Sequence, residues 1–151
     1  MQLTKNFSLA ELTASQIAER KGINNVPEGT ALDNLKRLAE LLQECRDLLA
    51  VPIYINSGYR CLALNQAVGS SSTSQHLKGC AADVRVAGMS PPEVVRKIMQ
   101  SNIEFDQIIS EYHDPNRVGS GWVHISVANE PELEPRGNAL IIDRLGTRAF
   151  A

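Results

Sequence analysis

The sequence has no long apolar run, no basic cluster and no paired-cysteine motif, and each absence argues against a class of protein. No stretch approaches the 18 or more apolar residues of a membrane-spanning helix. Lysine and arginine are scattered and the formal net charge is −2, so the basic patch typical of nucleic-acid-binding proteins is missing. The three cysteines show no CxxC spacing, which argues against a disulfide framework and against a cysteine-ligated structural zinc site.

The N-terminal residues MQLTKNFSLAELT lack the apolar segment of a secretory signal peptide. We therefore expect a protein that is cytoplasmic as synthesised, does not insert into membranes, and reaches any extracellular substrate only after release or delivery. The 151 residues suffice for one domain, 1–151, with a proper hydrophobic core, and we expect a monomer.

The spacing of apolar residues predicts helices in the first half of the chain and strands interleaved with shorter helices in the second. Ser8 and Glu11 form a capping-box signature that opens a helix over 8–20. Further helices are expected at 31–49, 61–69 and 90–101, and strands at 53–56, 81–86, 105–112 and 121–128. The apolar NALIID segment, 138–143, is interpreted as an edge strand. The pattern predicts an α+β fold, a small antiparallel sheet with helices packed on one face.

The stretch SSSTSQHLKGCAADVRV, residues 70–86, holds a histidine and an aspartate seven residues apart. On a helix, His76 and Asp83 would share a face but stand roughly 10 Å apart. The donors around one metal ion lie only about 3–4 Å from one another. If the pair serves one ion, the chain must turn back between them, and Gly79 is the residue best able to allow this.

Strand alternation adds a third candidate ligand. In WVHISVA, Val123 and Ile125 point to one face and His124 to the other, and in AADVRV Asp83 also leaves the core side. With His76 from the preceding loop, the set suits a catalytic zinc with an open fourth position. A histidine on a strand is, however, more often a hydrogen-bonded structural residue than a ligand.

Four motifs in order, SGYR (57–60), Asn65, SQHLKGCAAD (74–83) and WVH (122–124), resemble the zinc D-alanyl-D-alanine peptidase family. The similarity is greatest to its small single-domain phage and prophage branch, which shares the fold of the hedgehog signalling domain. The pattern Ser-x-His-x-x-Gly-x-Ala-x-Asp is matched in full from Ser74 to Asp83. The resemblance covers about 53–127 and follows a helical N-terminal part, 8–49.

The resemblance implies one zinc ion per chain, held by His76, Asp83 and His124. It also implies that Arg60 contacts a substrate carboxylate and polarises the scissile carbonyl, and that Ser74 lies beside the site. The implied substrate is a peptidoglycan stem or cross-link peptide, cut by a D-Ala-D-Ala carboxypeptidase or endopeptidase, as in endolysins.

The serine-rich loop and Trp122 are further candidates to line the substrate groove, although Trp122 could equally be a packing residue.

The sequence departs from the family where many members carry a general base, three residues before the last histidine ligand. That position is Gly121, which can do no acid–base chemistry. The phage and prophage branch that the sequence resembles takes its general base from a glutamate at the end of the preceding strand, and Glu111 fills that role. A hairpin closed by 112–120 would bring Glu111 beside the strand of the last ligand. His113, expected to be exposed, and Asp114 remain competing candidates in the turn.

Two other functions are compatible with the sequence. One is a cysteine hydrolase with Cys80 as nucleophile, although its Gly-Cys-Ala-Ala context favours tight packing. The other is a non-catalytic zinc-binding module of the same fold, which binds the cell wall or forms part of a virion. The presence of Arg60 and a candidate base favours the enzyme.

Overall fold

The computed structural model describes residues 1–151 as a six-stranded sheet with helices against one face. The helices are α1 (Leu9–Thr13), α2 (Gln16–Lys21), α3 (Thr30–Leu49), α4 (Leu62–Ala67) and α5 (Pro91–Met99), with one 3₁₀ turn at Gln75–Lys78. The strands are β1 (Ile53–Ser57), β2 (Ala81–Val86), β3 (Gln107–Glu111), β4 (Trp122–Ser126), β5 (Asn138–Asp143) and β6 (Gly146–Ala149). This architecture confirms the predicted α+β class. None of the helices is long and apolar enough to cross a bilayer.

The single helix predicted over 8–20 is wrong, because the chain forms two short helices there. Ser8 and Glu11 do make the predicted capping box at the start of α1. Ala14 then adopts an extended conformation, and the Ser15 side chain accepts a hydrogen bond from the Ala18 N–H to start α2. A second N-cap serine therefore ends the continuous helix that the apolar spacing suggested.

The sheet has the strand order β1-β2-β4-β3-β5-β6. Neighbouring strands are antiparallel except for β3 and β5, which are parallel. NALIID forms a strand as predicted, but its assignment as an edge strand is wrong, since β6 pairs along its outer side. All four residues of β6 are exposed, so its sequence, GTRA, shows no alternation of buried and exposed residues.

The hydrophobic core lies on one face of the sheet, beneath α3 and α5. Leu35, Leu38 and Leu42 of α3 are at most 1% exposed and share one cluster with Val84 of β2 and Ile125 of β4. Each such buried leucine contributes about 1.5–3 kcal/mol. Because strand side chains alternate, packing this face leaves the opposite face of β2 and β4 for other side chains.

Candidate metal centre and active site

Three separate elements bring His76, Asp83 and His124 together on that opposite face. Asp83 on β2 lies directly across from His124 on β4, and His76 sits in the 3₁₀ turn that precedes β2. The expected reversal occurs at Gly79, which has φ +75°. A Cβ there would lie 2.5 Å from the Ala31 carbonyl oxygen, so only glycine fits this turn.

The potential donor atoms of these three residues all lie within 4.8 Å of one another. The Asp83 carboxylate is 3.4 Å from His76 Nε2 and 3.1 Å from His124 Nδ1. These separations match those of donors around one tetrahedral zinc ion, about 3–4 Å. Although burial acts in the opposite direction, the two adjacent imidazoles hold the pKa of Asp83 well below its usual range. The carboxylate is thus ionised at neutral pH, as a metal ligand must be.

The His76 ring provides a further test of whether a cation fits. Its Nδ1 lies 2.7 Å from the Gly58 carbonyl oxygen, and because a carbonyl can only accept, Nδ1 carries the proton. In the neutral ring, Nε2 then presents a lone pair to the Asp83 carboxylate. Two electron-rich atoms in contact need a proton or a metal cation between them. The donor set therefore fits zinc, and the Gly58 contact fixes the imidazole tautomer as outer-shell partners of metal ligands do.

A buried carboxylate, Asp106, ties the turn that carries His76 to the C-terminal segment. The Gln75 side-chain amide donates to the Asp106 carboxylate (3.1 Å) and to the Val127 carbonyl (3.2 Å). Asp106, only 4% exposed, also accepts a 2.7 Å hydrogen bond from the Arg136 guanidinium. Sequence reasoning missed Asp106 and Arg136 because they belong to no motif and meet only in the folded chain.

Arg60 lies beside this centre and is held by the polar loop that follows it. Its backbone N–H donates to the His76 carbonyl (3.1 Å), and its guanidinium donates to Asn65 (3.2 Å) and Ser74 (3.3 Å). Burial lowers the pKa of Arg60, while the negative charge of Asp83 acts in the opposite direction. No carboxylate lies within ion-pairing distance of Arg60, so its charge is available to a substrate anion. Ser74 supports Arg60 and also caps the turn by accepting from the His76 N–H.

Glu111 ends β3 on the same face as the candidate ligands. It pairs with Trp122 across the expected β3–β4 hairpin, two positions from the Ile109–His124 pair. Its carboxylate accepts a 2.9 Å hydrogen bond from the Trp122 indole N–H. Burial, followed by the charge of Asp83, raises the pKa of Glu111 despite the opposing effects of His124 and of that hydrogen bond. Trp122 thus holds the Glu111 carboxylate in place.

Gly121 occupies the position at which the sequence resemblance would place a general base, and the structure gives the physical reason for its lack of a side chain. Its φ is +76°, and a Cβ there would lie 2.5 Å from the Glu111 carbonyl oxygen and 2.8 Å from the His113 nitrogen. Any side chain would strain the backbone and collide with β3. This turn therefore holds no carboxylate at position 121.

The two competing base candidates lie in the loop after Glu111. His113 is half-buried, so its predicted exposure is wrong, and its Nδ1 is buried without a hydrogen-bond partner. Asp114 is exposed, and its carboxylate accepts from the Asn116 N–H within the loop (2.9 Å).

Cys80 is fully buried, which argues against its role as a nucleophile. Its Sγ lies 3.6 Å from the Ala128 carbonyl oxygen, and burial raises the pKa of the thiol. A thiol held neutral in this way is unreactive near neutral pH.

The comparisons with known proteins agree with the motif-based resemblance. A family model described as Peptidase M15 matches residues 5–126, which include the N-terminal helices as well as the motif region. No curated protein matches the chain.

Proposed function

The chain belongs to the peptidase M15 family, a family of zinc-dependent metallopeptidases, and we propose that it hydrolyses stem or cross-link peptides of peptidoglycan. The observation that carries the proposal is the cluster of His76, Asp83 and His124, whose donor atoms lie within 4.8 Å of one another. These three residues would hold one zinc ion per chain. The sequence motifs that resemble this family support the assignment. They come from separate elements of the fold.

The two catalytic side chains we propose are Glu111 and Arg60. A zinc ion at the centre would act as a Lewis acid on the peptide carbonyl and make water acidic enough to lose a proton near neutral pH. Glu111 accepts the proton of the attacking water and returns it to the amine that leaves as the peptide bond breaks. Its raised pKa favours this role, because a base works best when its pKa lies near the operating pH.

Arg60 binds the substrate and stabilises the negative charge that develops on the carbonyl oxygen. Its position rests on hydrogen bonds to Asn65 and Ser74, so its planar fork is oriented before substrate arrives. Trp122 orients Glu111 through its indole N–H and contributes a wall of the substrate groove. Ser74 acts beside the site through Arg60.

We further propose that the enzyme is a monomeric single domain of the phage or prophage branch and acts like an endolysin. It would reach the wall after release or delivery and cut as a D-Ala-D-Ala carboxypeptidase or an endopeptidase. The alternative is a non-catalytic module that binds zinc and the wall. An unpaired Arg60 and a carboxylate with a raised pKa facing the candidate ligands favour the enzyme.

The metal content of the purified protein tests the centre. Protein prepared without chelator should contain about one zinc per chain by elemental analysis, and His76→Ala and Asp83→Ala should contain almost none. His113→Ala is the matched control, since it removes a histidine outside the cluster and should keep the metal. Circular dichroism verifies that each variant is folded. Absence of metal from the unmutated protein would overturn the proposed centre.

Digestion of purified peptidoglycan tests the activity. Free amines should appear, chelator should abolish their release, and added zinc should restore it. Mass spectrometry of the fragments identifies the bond, because loss of a single terminal alanine and cleavage of a cross-link give different masses. A protein that holds zinc but releases no amine would be the non-catalytic module.

A further inference from the structure

A cleft of about 430 Å³ opens where β2 and β4 diverge. The two strands stay paired only as far as Val84 and Val123, beyond which the chain leads on one side to α5 and on the other into the loop 112–121. Val84, Val123 and Val94 of α5 contribute to its apolar lining. The volume lies within the range of pockets that hold small ligands, about 300–1,000 Å³.

The cleft adjoins the face of the sheet that carries the candidate metal ligands. Two of its lining residues, Arg85 and Trp122, each lie two positions along a strand from Asp83 and His124 respectively. Two strand residues span about 7 Å. Because an extended peptide advances by a similar distance, a substrate cut at the metal centre would place a residue in the cleft about two positions from the cleaved bond.

The charged side chains of the cleft are predominantly positive. Arg85 and Arg117 both line it and are exposed, and neither has an acidic partner within 4.0 Å. The lining also includes an acidic residue, Glu93, but its carboxylate accepts hydrogen bonds from Ser90 in the capping box of α5. The two arginines outnumber Glu93, so the cleft carries a net positive charge that would attract an anionic group.

We propose that this cleft is a substrate subsite selecting a residue that bears a carboxylate on an apolar stem. The proposal rests on the proposed peptidase function and adds the chemistry of one substrate position. The apolar stem would pack against the partly exposed Met89 and the exposed Val118, which also line the cleft. The carboxylate would pair with Arg85 and Arg117, whose planar forks suit carboxylate geometry. The enzyme would thus discriminate between acidic peptides and their neutral amides.

Paired peptides test this selectivity. Peptidoglycan stem peptides are synthesised with all carboxyl groups free and, in turn, with each side-chain carboxyl group converted to a primary amide. Affinity is measured by calorimetry on the zinc-loaded Glu111→Gln protein, which retains the cleft but is expected to turn over slowly. The same peptides are assayed for cleavage with the unmutated enzyme. The double variant Arg85→Gln/Arg117→Gln is compared with Arg20→Gln, an exposed arginine on α2 that does not line the cleft.

One amide position should weaken binding and kcat/KM by about tenfold or more, as expected for the loss of a charge-assisted hydrogen-bonded pair. The double variant should bring the ratio between acid and amide close to one, and Arg20→Gln should leave it unchanged. Cleavage with no amide preference would overturn the subsite alone. An equal loss for both peptides in the double variant would also overturn it, since it would indicate a structural role. If no peptide is bound or cut, both the proposed function and the subsite are wrong.

Discussion

Replacing Glu111 with glutamine removes the proposed proton acceptor while preserving the shape of its side chain. The amide oxygen of glutamine can still accept the hydrogen bond that the Trp122 indole donates at 2.9 Å. The hairpin should therefore remain intact, and the proposed zinc ligands, His76, Asp83 and His124, are unchanged. The variant therefore tests proton transfer while the fold and the proposed metal site stay unchanged.

The expected loss follows from the role of the carboxylate. General-base catalysis contributes roughly 10²–10⁴ in rate, so kcat should fall at least about a hundredfold, or about 2.7 kcal/mol in the activation barrier. Burial and the nearby Asp83 charge raise the pKa of Glu111, which makes its carboxylate a stronger base. Zinc content should be unaffected, since Glu111 is not among the proposed ligands.

The assay is the initial rate of amine release from peptidoglycan, with zinc measured in the same samples. His113→Ala and Asp114→Asn are the matched variants from the adjoining loop and should lose less than about tenfold. If Glu111→Gln retains most of its activity while one of these two is inactive, the base belongs to the loop. If all three remain active, the proton leaves without help from this hairpin and the proposed mechanism is wrong.

Three further substitutions test the surroundings of the centre. Trp122→Phe removes a hydrogen bond that lowers the pKa of Glu111, so that pKa should rise. Because the base must be ionised, the acid limb of the pH–rate profile should move to higher pH. If the limb does not move, Glu111 is not the group whose ionisation it reports. Gly121→Ala should cost at least about 2 kcal/mol in the free energy of unfolding, measured with denaturant, because of its positive φ and its collision with β3. Gly119→Ala, with a similar φ but no atom within 4 Å, should cost clearly less, and equal losses would refute the collision. Arg60→Lys should keep zinc and fold but lose much of the rate, since a point charge replaces a planar fork; near-normal turnover would make Arg60 structural.

Residues close together in the sequence made several features predictable. Ser8 and Glu11 form a capping box at the start of α1, as their spacing predicts. The reversal at Gly79 follows from the demand that two potential ligands seven residues apart meet. The family predicted from the motifs is confirmed by the family model. The roles of the individual site residues remain predictions, although the structure brings the three candidate ligands together.

Three sequence predictions were wrong, each because a feature outside the expected pattern decided the structure. The apolar spacing over 8–20 continued through Ser15, whose side chain was free to cap a new helix instead. The edge-strand assignment of 138–143 failed because β6 has no buried face and so leaves no alternation in the sequence. The turn position of His113 suggested exposure, yet the close approach of Gly121 half-buries it.

By itself, the sequence determined the chemistry of the candidate centre: two histidines and an aspartate, a glycine that permits their approach, an arginine and a glutamate. These residue types and spacings are local properties of the chain, and chemistry restricts what such a set can bind. Only the tertiary structure decided which distant atoms support them. The Gly58 carbonyl that fixes the His76 tautomer and the ion pair between Asp106 and Arg136 depend on contacts between remote segments. Such contacts leave no periodic trace in the sequence, because they arise from how the packed elements are placed in space.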